Sequence, residues 1–321
     1  MHAPPRRLPR VSPLAYQRIT LFALLSLAFI IVTGAAVRLT GSGLGCSDWP
    51  TCEEGRLVAP LEYHAMIEFV NRTITGLVSV AVILAVLGSI LREPRRPDLT
   101  RWSLGLVAGV IGQILLGGIV VLVHLAPISV IGHFLLSIVL LWNAVVLYER
   151  AGQPDGPARP VTDARTTIAA RVMVVAALAV IVAGTVVTAT GPHGGDENAE
   201  RLPLDISEVA RIHAVAAWIF LGITTFVLWR AYRSGAPATV RSRGALLVAS
   251  IVLQGAIGYT QYFTGVPPLL VGFHVLGSVL VWITTLRFHL ALFTRFEPVL
   301  DESAGRALTV PQPLQPVTLR R

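Results

Sequence analysis

The sequence predicts an all-α, polytopic integral membrane protein. Its eight transmembrane helices would form two repeated four-helix bundles related by a pseudo-twofold axis along the membrane normal. Three observations support this fold class. The 321-residue chain is 54% hydrophobic with a mean hydropathy of +0.68, which is too apolar for an ordinary soluble domain. Its apolar residues form eight runs, each about long enough to cross the hydrocarbon core of a bilayer. The chain also repeats itself.

Each apolar run is a predicted helix, and polar loops separate one run from the next. The first run is long and lacks a small-residue cleavage pattern, so we expect a helix there rather than a signal peptide. The eight runs cover residues 17–38, 65–91, 102–123, 127–148, 168–190, 207–230, 244–263 and 267–293.

An internal repeat divides the chain into two copies of one four-helix unit. Residues 113–137 match residues 254–278 at an offset of 141, and Gly34 falls on Gly184 at an offset of 150. Because each copy has an even number of helices, both copies should have the same orientation in the membrane. The matched pairs are Gln113 with Gln254, Gly117 with Gly258, Pro127 with Pro268, His133 with His274, and Ser137 with Ser278.

The repeat and the polar segments together give the predicted organisation of the chain. The segment between the copies is rich in glycine and proline, as is typical of a linker, and the Pro-rich C-terminal segment is expected to be disordered. The predicted segments are a cytoplasmic tail (1–16), an N-terminal four-helix repeat (17–149), a cytoplasmic linker (150–166), a C-terminal four-helix repeat (167–293) and a cytoplasmic tail (294–321).

The net charge of +8 follows the loops and does not indicate nucleic-acid binding. Arginines crowd the N-terminus, alternate loops and the C-terminal tail, whereas the other long loops are acidic. By the positive-inside rule, both termini are predicted to be cytoplasmic and the acidic loops to face outward. The predicted environment is therefore a lipid bilayer.

Two cysteines, Cys46 and Cys52, both fall in the first predicted external loop. An exported pair at this spacing can close a small disulfide. The sequence leaves open whether that disulfide is a structural staple or a redox-active pair.

Three histidines lie within predicted helices, where ionisable side chains are costly and therefore candidate functional residues. His133 and His274 each lie six residues after a proline that opens a helix, and His213 lies about six residues into its helix. At 1.5 Å per residue all three are roughly 9 Å below the outer surface. Facing histidines in a four-helix bundle are a usual way to hold a haem iron. The alternative is that each histidine simply bonds to a neighbouring helix.

The helix-2 position that corresponds to His213 is Asn71, so the two halves differ. The first half would then hold iron through His133 alone, leaving an open or weakly held coordination position. Glu68 and Arg72 share a helix face with Asn71. Glu68 is therefore a candidate general base or a stabiliser of a developing cation, and an ion pair between Glu68 and Arg72 is compatible with either role.

These features together resemble the haem A synthase family over nearly the whole chain, from about residue 15 to 293. The segments that carry the resemblance are Thr33-Gly34, Arg38-Leu39-Thr40-Gly41-Ser42-Gly43, Cys46 and Cys52 around Trp49-Pro50, Glu68-Phe69-Val70-Asn71-Arg72, Gly117-Gly118, His133-Phe134-Leu135-Leu136-Ser137, Thr190-Gly191-Pro192-His193, His213 and His274.

The resemblance implies a bacterial cell-membrane oxidoreductase that converts the C8 methyl group of haem O to the formyl group of haem A, with water as the oxygen source. A cofactor, haem b, would lie between His213 and His274. The substrate, haem O, would bind beside His133, Asn71 and Arg72. Glu68 matches the family's essential carboxylate, and Asn71 stands where family members commonly carry histidine.

The resemblance also implies partners: haem O synthase, cytochrome oxidase assembly factors and an unidentified electron-transfer protein. A b-type membrane cytochrome that relays electrons without chemistry on haem is the main alternative. A transporter built on a repeat is a third class, disfavoured because no predicted helix has a central Gly/Pro break.

Overall fold

The structure, a computed structural model, describes residues 10–53, 58–296, 300–301 and 306–307. Within these residues eight helices are long and apolar enough to cross a membrane, which confirms the predicted all-α membrane fold class. The helices are α1 (Pro13–Leu39), α2 (Tyr63–Leu91), α3 (Pro97–Leu122), α4 (Pro127–Ala151), α5 (Ala164–Thr190), α6 (Ile206–Arg233), α7 (Ala238–Phe263) and α8 (Pro268–Ala291).

Four short strands complete the described structure. Strands β1 (Ala158–Pro160) and β2 (Phe293–Arg295) form one antiparallel pair, and β3 (Leu300–Asp301) and β4 (Arg306–Ala307) form another. Strand β2 therefore ties the chain after α8 to the linker between the two halves, within the region where the sequence predicts the C-terminal tail. The rest of that predicted tail lies mainly outside the described residues.

The helices begin at residues suited to helix N-termini. The side chains of Ser12, Asp163 and Asp205 accept hydrogen bonds from the backbone of the first turns of α1, α5 and α6. Helices α1, α3, α4 and α8 each open with proline, whose missing N–H has no helical partner at that position.

Each half is a closed ring of four helices. In the first half α1 packs on α2, α2 on α3, α3 on α4 and α4 on α1, and helices α5 to α8 repeat this order. Between the halves α4 contacts α8, α1 contacts α8 and α4 contacts α5. A twofold axis through the α4–α8 contact would exchange the other two contacts, so the pattern is compatible with the predicted pseudo-twofold axis. The axis itself stays a prediction.

A tight turn that is the same in both halves supports the repeat. His124 and Leu125, between α3 and α4, have φ of 53° and 60°. The corresponding residues between α7 and α8, Gly265 and Val266, have φ of 81° and 59°. A left-handed backbone is unfavourable for leucine and for β-branched valine, so its presence at both sites indicates a shared constraint. Each turn leads directly into the proline that opens the next helix.

The interface between the halves combines apolar packing with buried polar contacts. The indole of Trp282 in α8 donates a hydrogen bond of 3.1 Å to the carbonyl oxygen of Ile138 in α4. The buried carboxylate of Glu149 in α4 bonds Arg243 of α7 at 2.9 Å and Arg287 of α8 at 2.6 Å. The two bundles are therefore joined by side chains as well as by the linker.

The loops at the two ends of the helices differ in charge, which distinguishes an acidic-loop end from a basic-loop end. The acidic-loop end carries loops 40–62 and 191–205 together with the two left-handed turns. The basic-loop end carries the loops that follow α2, α4 and α6. At the acidic-loop end the amide of Gly43 donates to the carbonyl of Gly195 at 2.7 Å, so the acidic loops of the two halves touch.

Candidate active site

The structure brings His213 of α6 and His274 of α8 together, with their ring centroids 6.3 Å apart. Two imidazoles that bind one metal from opposite sides through bonds of about 2 Å have centroids roughly 6 Å apart. The spacing of this pair therefore fits a single iron held by both rings. In the described part of the chain no group of three or more His, Cys, Asp or Glu side chains forms a metal site.

The hydrogen bonding of His213 favours one ring nitrogen as a ligand. Its Nδ1 lies 3.1 Å from the carbonyl oxygen of Val180, and a carbonyl can only accept, so Nδ1 carries the proton. The neutral ring then keeps its lone pair on Nε2, the arrangement typical of a metal-ligating histidine. Gly184 gives the ring its space, since a Cβ atom there would lie 3.1 Å from Cε1 of His213.

His133 and His274, which correspond to each other in the repeat, have closely similar surroundings. A Cβ atom on Gly117 would lie 3.3 Å from Cε1 of His133, and one on Gly258 would lie 3.0 Å from Cε1 of His274. In both rings Nδ1 is buried and makes no hydrogen bond. A buried ring nitrogen without a partner is uncommon, and a ligand in the bundle is one explanation for it.

A glutamine on the neighbouring helix holds the backbone at each of these two histidines. Gln113 Nε2 donates to the carbonyl of His133 at 3.1 Å and to Ser137 Oγ at 2.8 Å. Gln254 Nε2 donates to the carbonyl of His274 at 2.7 Å. These bonds join α3 to α4 and α7 to α8 at the level of the two imidazoles.

The first half lacks a ring at the position that corresponds to His213. Asn71 lies in α2, and its Oδ1 is buried without a hydrogen-bond partner. Gly34 corresponds to Gly184, and a Cβ atom added to Gly34 would have no neighbouring atom within 4 Å. The space that the His213 ring fills in the second half is therefore open in the first. No hydrogen bond joins Asn71 to His133 within the described residues.

A cavity of about 550 Å³ opens beside Asn71, between α1 and α2 at the acidic-loop end. Its walls are mainly apolar, and it opens broadly at the protein surface. The lining residues are Thr33, Ala36, Val37, Thr40, Leu61, Glu62, Tyr63, Met66, Ile67, Val70, Asn71 and Ile74.

Glu68 is buried one turn before Asn71 and has three hydrogen-bond donors. Arg72 donates to Glu68 Oε1 through Nη2 at 2.6 Å and through Nε at 3.1 Å. The backbone amide of Cys46 donates to Oε2 at 2.8 Å. The i,i+4 ion pair between Glu68 and Arg72 is thus formed, and it is linked to loop 40–62.

Arg72 joins the same loop through Nη1, which donates to the carbonyl oxygens of Asp48 at 3.0 Å and Thr51 at 2.9 Å. These residues lie inside the ring closed by the disulfide between Cys46 and Cys52. Both cysteines are buried. The disulfide that the sequence allows is therefore formed, and its loop encloses the guanidinium of Arg72.

Close packing holds the disulfide loop on the helices. The indole of Trp49 covers Gly118 of α3, where a Cβ atom would lie 2.8 Å from the ring. Gly45 packs on the backbone of α2, where a Cβ atom would lie 2.3 Å from the carbonyl oxygen of His64. His64 Nδ1 also lies within hydrogen-bond distance of Ser42 Oγ, at 3.0 Å. The loop is therefore part of the site and not a free surface segment.

The sequence identified the histidines, Asn71, Glu68 and Arg72, but the contacts that the disulfide loop makes with Glu68 and Arg72 were missed. The amide of Cys46 was missed because a backbone donor has no side-chain signature. The glycines that make room for the rings gave a detectable signal, since Gly117 and Gly34 match glycines in the other half of the repeat.

Comparison with known proteins identifies the family of this chain. Residues 17–65 and 56–193 match the family described as cytochrome oxidase assembly protein, COX15-CtaA. A haem A synthase of Shewanella oneidensis is 32% identical over 152 residues, which cover 41% of this chain and 44% of that protein. A haem A synthase of Shouchella clausii is 30% identical over 146 residues, which cover 44% and 48%.

A haem A synthase of Exiguobacterium sibiricum is 26% identical over 137 residues, which cover 41% of this chain and 46% of that protein. The alignments thus span less than half the length of these curated relatives. The family match is longer and takes in α1 to α5, with Glu68, Asn71 and His133 inside it. Because it covers more than half of the chain, the protein belongs to the COX15-CtaA family of cytochrome oxidase assembly proteins.

Proposed function

We propose that this multi-pass membrane protein is a haem A synthase, which oxidises the C8 methyl group of haem O to a formyl group. One observation supports the proposal more than any other. Each half has two corresponding positions for a histidine ring, but only the second half has a histidine at both. His213 fills its position against Gly184, whereas Asn71 leaves the space beside Gly34 open. This asymmetry favours a division of roles, in which one half stores or relays electrons and the other binds a substrate.

In this proposal the second half holds haem b between His213 and His274. The 6.3 Å separation of the rings and the free Nε2 of His213 support this assignment. A haem with two histidine ligands supplies one-electron transfer when it is bound. The part played by the chain is to fix both rings, through the Val180 carbonyl for His213 and through Gln254 for the backbone of His274.

The first half would bind haem O, with His133 as the protein ligand to its iron. Asn71 on the opposite side offers an amide in place of a ring, so it leaves room on that face of the substrate. The mainly apolar cavity beside Asn71 matches the apolar character of haem O. Arg72 lies next to this position and would keep the Glu68 carboxylate at the edge of the substrate.

The reaction requires a group that can take up protons and tolerate positive charge. Oxidation of a methyl group to a formyl group with the oxygen atom of water releases four electrons and four protons. Glu68 would accept protons and stabilise positive charge that develops at the methyl carbon. Its two bonds from Arg72 and its bond from the Cys46 amide hold the carboxylate in one orientation, which favours such a role.

The proposed setting is a bacterial cell membrane with both termini in the cytoplasm. Four electrons must leave the site, so an electron-accepting partner is required in addition to haem b. Haem O synthase would supply the substrate, and assembly factors of cytochrome oxidase would receive the product. The family description as a cytochrome oxidase assembly protein supports this last link.

The test is product analysis with purified protein. The protein, reconstituted in lipid nanodiscs with an electron acceptor, is incubated with haem O, and the extracted haems are separated by chromatography and weighed by mass spectrometry. A haem A synthase yields the alcohol and then the formyl product. A b-type cytochrome that only relays electrons leaves haem O unchanged, and this result would refute the proposal.

A further inference from the structure

A second cavity, of about 490 Å³, lies at the basic-loop end between the N-terminal part of α3 and the C-terminal part of α4. It is far along both helices from the turn that joins them, and hence from the acidic-loop end. Its lining residues are Asp98, Arg101, Trp102, Gly105, Asn143 and Arg150. This set combines positive charge, an amide and an indole, and the proposed reaction uses none of them.

The carboxylate of Asp98 in this cavity is already neutralised. It accepts two bonds of 2.9 Å from Arg96 and lies 2.7 Å from Nη2 of Arg150. Arg101 has no ion pair or hydrogen bond to another described residue and is exposed. The two arginines that line the cavity therefore outnumber its one carboxylate, and the guanidinium of Arg101 is available to a ligand.

An amide lies on the α4 wall of the cavity, about two turns before Arg150. Asn143 leaves Oδ1 buried without a partner, and the two amide atoms can exchange by rotation, so the group can present a donor. Gly105 makes room for this amide, because a Cβ atom there would lie 2.4 Å from Asn143 Nδ2. Arginine and amide donors around one space are the groups that bind phosphate oxygens.

The surroundings of the cavity belong to a membrane interface. The indoles of Trp102 and Trp142 meet edge to face, with centroids 5.8 Å apart, and tryptophans favour the headgroup level of a bilayer. Further along α3, towards the middle of the helix, Leu104, Ile111 and Leu115 each expose more than half of their surface. The cationic cavity thus continues directly into an apolar, lipid-accessible surface.

We propose that this cavity binds the phosphate group of an anionic phospholipid, with the acyl chains along the exposed face of α3. Arg101 would donate to the phosphate oxygens from α3, Arg150 and Asn143 would donate from α4, and Trp102 would cover the glycerol. Basic cavities between transmembrane helices are known to bind acidic lipid headgroups. A free phosphate ion would use the same donors but would gain nothing from the apolar face.

The experiment measures lipid retained by the purified, full-length protein. Protein in detergent is mixed with phosphatidylglycerol or phosphatidylcholine, and native mass spectrometry counts the bound lipids. Arg101→Gln removes one charge from the cavity and should weaken phosphatidylglycerol binding roughly five-fold. Arg18→Gln, a change at an exposed arginine of α1 near the same end, is the matched control and should leave binding unchanged.

A second variant, Asn143→Leu, tests the amide independently of charge and should also reduce retention of phosphatidylglycerol. Elution volume and bound haem verify that each variant is folded. Equal retention of phosphatidylglycerol by the parent protein and both cavity variants would overturn the proposal, as would equal binding of phosphatidylcholine. Full displacement of the lipid by millimolar inorganic phosphate would show a simple anion site and would likewise overturn the lipid assignment.

Discussion

The backbone amide of Cys46 donates a 2.8 Å hydrogen bond to the carboxylate of Glu68, and this bond links a loop residue to a buried residue of α2. Arg72 completes the link, because it bonds both Glu68 and the carbonyl of Thr51. A change in the loop must therefore move or unpair the carboxylate. The disulfide loop and the proposed chemistry of the first half are therefore coupled.

Replacing Glu68 with Gln should retain haem and abolish formation of the formyl product. Glutamine keeps the size of the side chain and one oxygen that can accept from Cys46, but it removes the charge. A lost acid–base group commonly costs about 100-fold or more in rate. Chromatography of the haems measures the effect. Glu197→Gln, at an exposed acid of loop 191–205, is the control. A normal yield from Glu68→Gln would leave Glu68 only its ion pair with Arg72.

Removing the disulfide by Cys46→Ser and Cys52→Ser should lower the yield of haem A while the spectrum of the haem b half is preserved. The bond contributes about 2–3 kcal/mol to the order of its loop, and without it the Cys46 amide no longer holds Glu68 in place. In the parent protein, thiol labelling after denaturation should require prior reduction. Full labelling without a reductant would show that the cysteines are free in the isolated protein.

His213→Ala and His274→Ala should each abolish a low-spin haem spectrum, because each change removes one of two proposed axial ligands. Absorption and electron paramagnetic resonance spectra measure the loss. His289→Ala is a matched control, since His289 lies in α8 with His274 but at the basic-loop end. A low-spin signal that survives in either ligand variant would place the haem elsewhere.

Asn71→His should close the sixth coordination position of the first half and slow turnover. The structure has room for the ring, because a Cβ atom on Gly34 would meet nothing within 4 Å. An additional low-spin haem should therefore be seen after haem O is bound. In the double variant Asn71→His with Gly34→Leu, the leucine fills that space and the extra low-spin signal should disappear. Equal spectra for the single and double variants would contradict this geometry.

Glu149→Gln should destabilise the contact between the two halves by about 1–3 kcal/mol, because it removes the charge that two arginines share. Thermal loss of the haem b spectrum in detergent measures the change. Glu93→Gln, which breaks an exposed pair with Arg10, is the control and should cost less than about 1 kcal/mol. Equal melting of the two variants would show that the halves are held by packing alone.

The eight helices were predictable because each membrane span needs a long apolar run, and such runs leave a strong signal. The positions of the helix ends were less predictable. Helix α3 begins at Pro97 and α7 at Ala238, several residues before the apolar runs at 102 and 244. Polar residues such as Arg101 and Arg241 stay helical beyond the apolar run, and hydropathy alone does not register them.

At the candidate site, i,i+4 spacing was sufficient to predict the pair of Glu68 and Arg72, because both ends of the pair lie on one helix. The bond from Cys46 was not predictable, since it depends on the path of a loop fixed by tertiary contacts. That path is defined by the packing of Trp49 on Gly118 and of Gly45 on the backbone of His64. Such contacts join residues far apart in sequence and have no periodic pattern.

The buried carboxylate of Glu149 also imposes an order on biogenesis. It leaves the ribosome with α4, but its partners Arg243 and Arg287 belong to helices that are synthesised after the linker. While the chain is being made, these two ion pairs can therefore form only after α7 and α8 have been synthesised. The contact between the halves at Glu149 is completed last.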